Sequence, residues 1–206
     1  MREYDLSIPW TCLPYLRTSA IADLPRVAEI FGEDLLNVPE AWLDVSNARQ
    51  LIAACGVSLS IVVQWFLFEI FAGCAHLTQA SVAVGLPTGP SIDVLPGDGN
   101  RYVANLLTPE GRQIVWAMLV VFCPMWVHLG FPCTFWSQLA HMTRRRDIDR
   151  NEQTRLESLA FIAFSRQIVQ WQASRWQHVS IENPPRCRSW SLDMTRYDQY
   201  RQIDFC

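Results

Sequence analysis

Two short stretches of this 206-residue chain hold side chains able to attack and polarise an unsaturated ring, and a third is built to seat a polar ligand beside them. Cys133 stands between Pro132 and Thr134, just past an apolar run that ends at Gly130, in a loop where a thiol can be exposed. Cysteine is a nucleophile only as its thiolate, and the arginines a few residues on favour that anion. Glu182, with Asn183 beside it, closes a second run in the same way. A carboxylic acid bonded to a ring nitrogen draws electrons from the ring, and a thiolate can then add to a ring carbon. In the third stretch, Trp65 to Gln79, the residues read as a buried strand, a turn at Gly73 and a helix. In Phe71-Ala72-Gly73 the small residues Ala72 and Gly73 let the backbone approach a bound molecule, and the helix amino terminus offers free N–H groups to its polar atoms. Glu69 can order that loop or the ligand's polar end, and Asp93, twenty residues past Gly73, is spaced to take ribose hydroxyls.

From Trp65 onward apolar strand patterns alternate with helical ones, which predicts an α/β fold with a mostly parallel sheet and helices on both faces. Strands are expected at Trp65 to Phe71, Ser91 to Leu95, weakly at Tyr102 to Leu107, at Met125 to Gly130 and at His178 to Ile181. One helix is expected from Ala75 to Val84, and Thr108-Pro109-Glu110 starts another that runs to Phe122. Asp149 and Glu152 have the spacing of a capping box, and Leu156, Leu159, Ala160, Ala163, Gln167, Ile168 and Trp171 then form one stripe of a long helix. Residues 1–60 read as a helical amino-terminal extension with segments at Pro25 to Phe31, Val38 to Val45 and Ser46 to Val57, the last capped by Ser46. Residues 61–206 form the catalytic domain in this reading, and the chain ends in the start of another strand at Arg201 to Cys206.

Taken in order, F-E-I-F-A-G at Phe68 to Gly73, P-C at Pro132 and Cys133, and I-E-N-P at Ile181 to Pro184 resemble the C5-cytosine DNA methyltransferases, in a divergent branch that writes P-C-T and E-N-P. The resemblance covers roughly Trp65 to Cys206. It implies a three-layer fold of the S-adenosylmethionine-dependent methyltransferase (Rossmann-like) type, S-adenosyl-L-methionine as cofactor and cytosine-containing DNA as partner. In that family Cys133 would add to carbon six of a flipped-out cytosine, and Glu182, with Asn183 beside it, would supply the acid at nitrogen three. The cofactor positions implied are Glu69, Phe71, Ala72, Gly73, Ala75, His76, Leu77, Asp93, Pro132, and Asn105 where the family usually has an aspartate. Arg144, Arg145, Arg146 and Arg150, with Arg155, follow the P-C loop, where the family closes a segment over DNA; ion pairs with Asp147, Asp149 and Glu152 are the competing use of these arginines. No target-recognition region follows the E-N motif, so the expectation is a catalytic half without its reading head. The alternative is a degenerate relative that binds cofactor or nucleic acid without turnover.

The formal charge of -3 gives no global pull toward nucleic acid, and every basic residue is arginine. Seven cysteines without a C-x-x-C pair fit a reducing compartment rather than a disulfide scaffold. Cys123, His128 and Cys133 are evenly spaced but lack a fourth ligand, so no metal is expected. No signal peptide is read, and the protein is expected inside the cell, nuclear or cytoplasmic. Leu51 to Ala75 and Ile114 to Phe131 are long enough to span a membrane, but Gln64, Glu69, Pro124 and His128 split each into a helix and a strand. Two rivals are weaker matches. Asn183-Pro184-Pro185 has the N-P-P of amino-group methyltransferases, with Arg186 at the aromatic position, and Cys133 with His141 or His178 would make a cysteine hydrolase that lacks an orienting third residue.

Overall fold

A computed structural model describes residues 18–57, 59, 64–97, 101–132, 135 and 148–183. Five strands, β1 (Leu67–Ile70), β2 (Ser91–Asp93), β3 (Arg101–Val103), β4 (Trp126–Leu129) and β5 (His178–Ile181), pair in the order β3-β2-β1-β4-β5. Every pairing is parallel, with Ile70 opposite both Ile92 and Leu129, and Leu129 opposite Ile181. Parallel strands need crossovers, and here α4 (His76–Ala83) joins β1 to β2, α5 (Pro109–Phe122) joins β3 to β4, and α6 (Ile148–Ser174) lies between β4 and β5. The chain is therefore α/β with helices on both faces of its sheet, the layering of a three-layer Rossmann-like fold.

One face of the sheet makes the main core. Phe68, Ile70, Ile92, Val127 and Leu129 are fully buried and cluster with Val115, Trp116, Met118 and Leu119 of α5 and with Leu159, Phe164 and Ile168 of α6. The predicted stripe of α6 is that buried face, and its one polar member, Gln167, donates from Nε2 to the Asp34 carbonyl at 2.8 Å. Helix α5 starts as its residues dictate, with Thr108 Oγ1 accepting from the Gly111 amide at 3.2 Å and Pro109 in the first turn. A Cβ on Gly111 would stand 2.1 Å from the Asn105 carbonyl oxygen, so glycine is what lets the incoming loop lie against the helix.

The amino-terminal helices are part of this core. Helix α1 (Thr18–Phe31) packs on α6, and α3 (Val45–Ala54), preceded by the short α2 (Glu40–Leu43), packs on α5. Between α1 and α2, a single turn of 3₁₀ helix at Glu33–Leu35 brings Asp34 to Arg112. The buried guanidinium donates from Nε to Asp34 Oδ2 at 2.5 Å and from Nη2 to Oδ1 at 2.7 Å. Its Nη2 also reaches the Phe31 carbonyl at 2.6 Å, and Nη1 the Leu106 carbonyl at 3.0 Å.

Several boundaries differ from expectation for local reasons. Asp44, not Ser46, caps α3, because its Oδ1 accepts from the Asn47 amide at 2.8 Å and Ser46 already lies inside the helix. Asp149 lies within α6 rather than capping it, since the helix begins at Ile148, and Glu152 is taken by Arg155 and Arg26. Strand β3 stops at Val103 because Asn105 turns the chain, its Oδ1 accepting from the Leu107 amide at 3.0 Å. Residues 114–131 divide into α5 and β4, and no helix among the described residues is long and apolar enough to cross a membrane. The strand expected at Arg201 to Cys206 lies outside the described residues.

Truncating Asp34 strands a buried guanidinium. Asp34→Ala is expected to cost about 3–5 kcal/mol in urea unfolding, and the double change Asp34→Leu with Arg112→Met to recover most of that loss.

Candidate functional site

The loops that leave β1, β4 and β5 start side by side at the carboxyl edge of the sheet. The Ala72 amide donates to the Ile92 carbonyl at 3.0 Å, Gly130 to Ile70 at 3.1 Å and Glu182 to Leu129 at 2.9 Å. In this strand order the connections of β1 and β4 run in opposite directions, which opens a crevice at their carboxyl ends. A Cβ on Gly130 would lie 3.0 Å from the Phe71 carbonyl oxygen, so the two loops approach at backbone distance.

The turn after β1 is conformationally costly. Phe71, Gly73 and Ala75 have φ of 59°, 52° and 55°, and only glycine enters that region freely. Such strain gathers at ligand sites. The Phe71 ring packs edge-on to Phe161 of α6 with centroids 5.2 Å apart, so the ring belongs to the core. The Gly73 amide donates to Asp93 Oδ2 at 2.8 Å, and Asp93 Oδ1 accepts from the Leu95 amide at 3.1 Å. On the other side of the turn, Arg101 donates from Nη2 to the Gly73 carbonyl and from Nη1 to the Leu95 carbonyl at 3.2 Å. Ala72 is buried beneath the turn.

Glu69 serves the helix rather than the crevice. It is 5 % exposed, and its Oε2 accepts from the Thr78 amide at 2.8 Å and from Thr78 Oγ1 at 2.5 Å. Ala75, at the N-cap of α4, has no side-chain oxygen, and Glu69 supplies the missing acceptor and a negative charge at the helix amino terminus. His76 is exposed and Leu77 half-buried in the first turn of α4.

The remaining predicted residues divide between this edge and segments outside the described ones. Asn105 follows β3 at the same edge, with Oδ1 held by Leu107. Pro132 is exposed three residues past β4. Glu182 is exposed at the first position past β5, and Asn183 is only 8 % exposed, with neither Oδ1 nor Nδ2 hydrogen-bonded. Cys133, Thr134, His141, Arg144, Arg145, Arg146 and Pro184 to Arg186 lie outside the described residues. Arg150 is exposed near the start of α6. Arg155 leaves the basic cluster: it pairs with Asp23 at 2.5 Å and with Glu152 at 2.7 Å, which holds the Glu152 carboxyl below its usual range.

Two features escape a reading along the chain. Glu69, His128 and Ser180 occupy paired positions on β1, β4 and β5, forming a polar row across the face that α4 only partly covers. Ser180 Oγ lies 2.8 Å from His128 Nδ1 and accepts from Trp126 Nε1 at 2.7 Å. The period-two alternation of Trp126-Val127-His128-Leu129 and His178-Val179-Ser180-Ile181 was the available signal, since strands buried on both faces are nearly all apolar. The second feature is a cleft of about 410 Å³ at the opposite, amino edge, lined by Cys55, Trp65, Thr88, Pro90, Arg101 and Tyr102. Burial and a hydrogen bond with Cys55 push the Tyr102 phenol up to about 12, so it stays a neutral donor. Among the described residues no group of three His, Cys, Asp or Glu could hold a metal. Among known proteins, no family model, curated sequence or solved structure matches the chain.

Burial holds the His128 imidazole below its ordinary value, against the opposing pull of the Glu69 and Glu182 carboxylates. The fold thus favours the neutral ring. Its stabilising effect is complete above the unfolded value of about 6.5 and is lost as pH falls from there through the lower folded value. Melting temperature measured from pH 7.5 downward should therefore fall more steeply through that window in the native protein than in His128→Gln. Separately, Glu69→Ala should lower stability by about 1.5–3 kcal/mol in chemical denaturation, because it removes a charged acceptor of two hydrogen bonds and uncaps α4.

Proposed function

We propose that the protein is an S-adenosylmethionine-dependent methyltransferase of the DNA cytosine-C5 type. The observation that carries this reading is the register that aligns Ile70, Leu129 and Ile181, because the Gly73 turn, the loop entering Pro132 and Cys133, and the Glu182-Asn183 turn follow those three residues on adjacent strands. A thiol and an acid that act on one ring can come from neighbouring strand ends, and the segments leading to Cys133 and Glu182 leave adjacent strands of this sheet.

The residues at the turn fit the cofactor. Each Asp93 oxygen accepts one hydrogen bond and keeps a second lone pair, so a ribose hydroxyl can be accepted without breaking the turn. The first turn of α4 adds a helix amino terminus, and Asn105 adds an exposed side-chain amide at the same edge. S-adenosyl-L-methionine supplies an electrophilic methyl group when bound. The chain's own part is acid and nucleophile chemistry: the Cys133 thiolate adds to carbon six while Glu182, as the carboxylic acid, donates to nitrogen three, and the thiolate is expelled when the carbon-five proton is lost. Arg144, Arg145, Arg146 and Arg150 contact DNA phosphates in this reading. The protein works inside the cell, in keeping with the free thiols at Cys55, Cys74 and Cys123.

One observation favours the second reading, a relative that binds cofactor or nucleic acid without turnover. Asp93 and Arg101 already occupy both polar groups of the Gly73 peptide, leaving less of that turn for a ligand.

Incubation with S-adenosyl-L-methionine and DNA containing 5-fluorocytosine should give a covalent adduct that is lost in Cys133→Ser. Glu182→Gln should reduce transfer of labelled methyl to DNA by about 10²–10⁴-fold. Calorimetric binding of S-adenosyl-L-methionine without adduct or transfer would select the second reading.

A further inference from the structure

We propose that Ser180 is a base-activated nucleophile, with His128 as its base, able to accept an acyl group from a small carboxylic ester. This site does not use Cys133, although Glu182 borders both.

The Trp126 indole N–H can only donate, so one lone pair of Ser180 Oγ is committed to it at 2.7 Å. His128 Nδ1 lies 2.8 Å from the same oxygen, and among the described residues no other acceptor bonds the serine hydroxyl. In the proposed site the hydroxyl hydrogen points at Nδ1 and the ring carries its own proton on Nε2, an assignment that the 2.8 Å contact fits. That is the arrangement in which imidazole takes a proton from a nucleophile, and the indole N–H stabilises the alkoxide character that develops on Oγ. Ser180, His128 and Trp126 are half-buried, so the hydroxyl is packed in place yet reachable.

The row supplies a third member. Glu69 lies directly across from His128 in the β1–β4 register and is fixed by its two bonds from Thr78, so its carboxylate is a stationary negative charge beside the ring. Glu182, two positions past Ser180 on the same strand face, adds a second. Both favour the imidazolium that forms on proton transfer, and burial keeps the resting ring neutral. Glu69 is a positioning residue here, acting through His128.

The reaction balances with an ester and water alone. Oγ bonds to the ester carbonyl carbon as its proton passes to Nδ1. The carbon–oxygen bond to the alcohol then breaks, and the alcohol leaves with that proton. Water then attacks the acyl carbon and gives a proton to Nδ1, the bond from that carbon to Oγ breaks, and Oγ takes the Nδ1 proton as the acid leaves, restoring Ser180 and the neutral ring.

The test uses the full chain and a fluorophosphonate probe, which bonds to a serine with loss of fluoride only where a base activates it. The folded protein should be labelled, with peptide mapping placing the adduct on Ser180, while heat-denatured protein is not. Ser180→Ala should abolish labelling. His128→Gln, verified as folded by circular dichroism, should slow it by about 10²-fold or more. In the native protein the labelling rate should climb with pH to a plateau reached near neutrality, and this rise should vanish in His128→Gln, which a merely structural role would not cause. Hydrolysis of p-nitrophenyl acetate should follow the same pattern. Absence of labelling in the folded protein, or an adduct mapped to any residue other than Ser180, would overturn the proposal.

Discussion

Arg112 is the point to which the architecture is tied. A guanidinium removed from water must have its charge and its N–H groups met, or it costs several kcal/mol, about the whole stability of a small domain. Asp34 meets it in bidentate fashion, and the carbonyls of Phe31 and Leu106 take the remaining directions. Those partners come from the end of α1, the turn beyond it and the loop after β3, so one side chain of α5 sets the position of three separate segments. Gln167 extends the connection by holding the Asp34 carbonyl from α6. The helices before the sheet and the crossover helices α5 and α6 thereby become one layer, against which Phe68, Ile70, Val127 and Leu129 can be buried.

With that face sealed by apolar contact, the other is free to carry polar groups. Helix α4 packs on β1, and Glu69, His128 and Ser180 lie on this face together with the buried Leu67. The polar row and the strained turn are linked through Glu69. Its carboxylate starts α4, and the start of α4 fixes the end of a turn that holds Phe71, Gly73 and Ala75 in left-handed conformations. The energy of that conformation is met by hydrogen bonds from outside the turn, from Asp93 and Arg101.

How much could be read from the residues follows from how local each signal is. The strand ends expected at Phe71, Gly130 and Ile181 fall within one residue of those observed, and the start of α5 is legible because Thr108-Pro109 declares a helix in adjacent letters. The parallel sheet followed from alternating strand and helix patterns. Asp44 was passed over for Ser46 although both are good caps, since the choice depends on a single residue of phase. Asp34 with Arg112, and Arg101 with Gly73, have no neighbouring signal at all; their pairing exists only once the elements are assembled. The role first read for Glu69, ordering the turn or a ligand, is met through Thr78, nine residues on, which a strand-centred reading does not connect. His128 and Ser180 show in the sequence only as alternation within two strands, which does not reveal that the strands are neighbours in register.

The register of this sheet also governs how the chain can reach its fold. No two neighbouring strands are joined by a hairpin, and the central pairing of Leu67 with Trp126 closes only after β2, β3 and α5 have been threaded between them. Such non-local closure is slow, because loop entropy is lost before contacts compensate it. The apolar letters of β1 therefore stay uncovered while the helical hairpins form, and this protein should depend on dilution or on chaperones during refolding more than a helical bundle of its size.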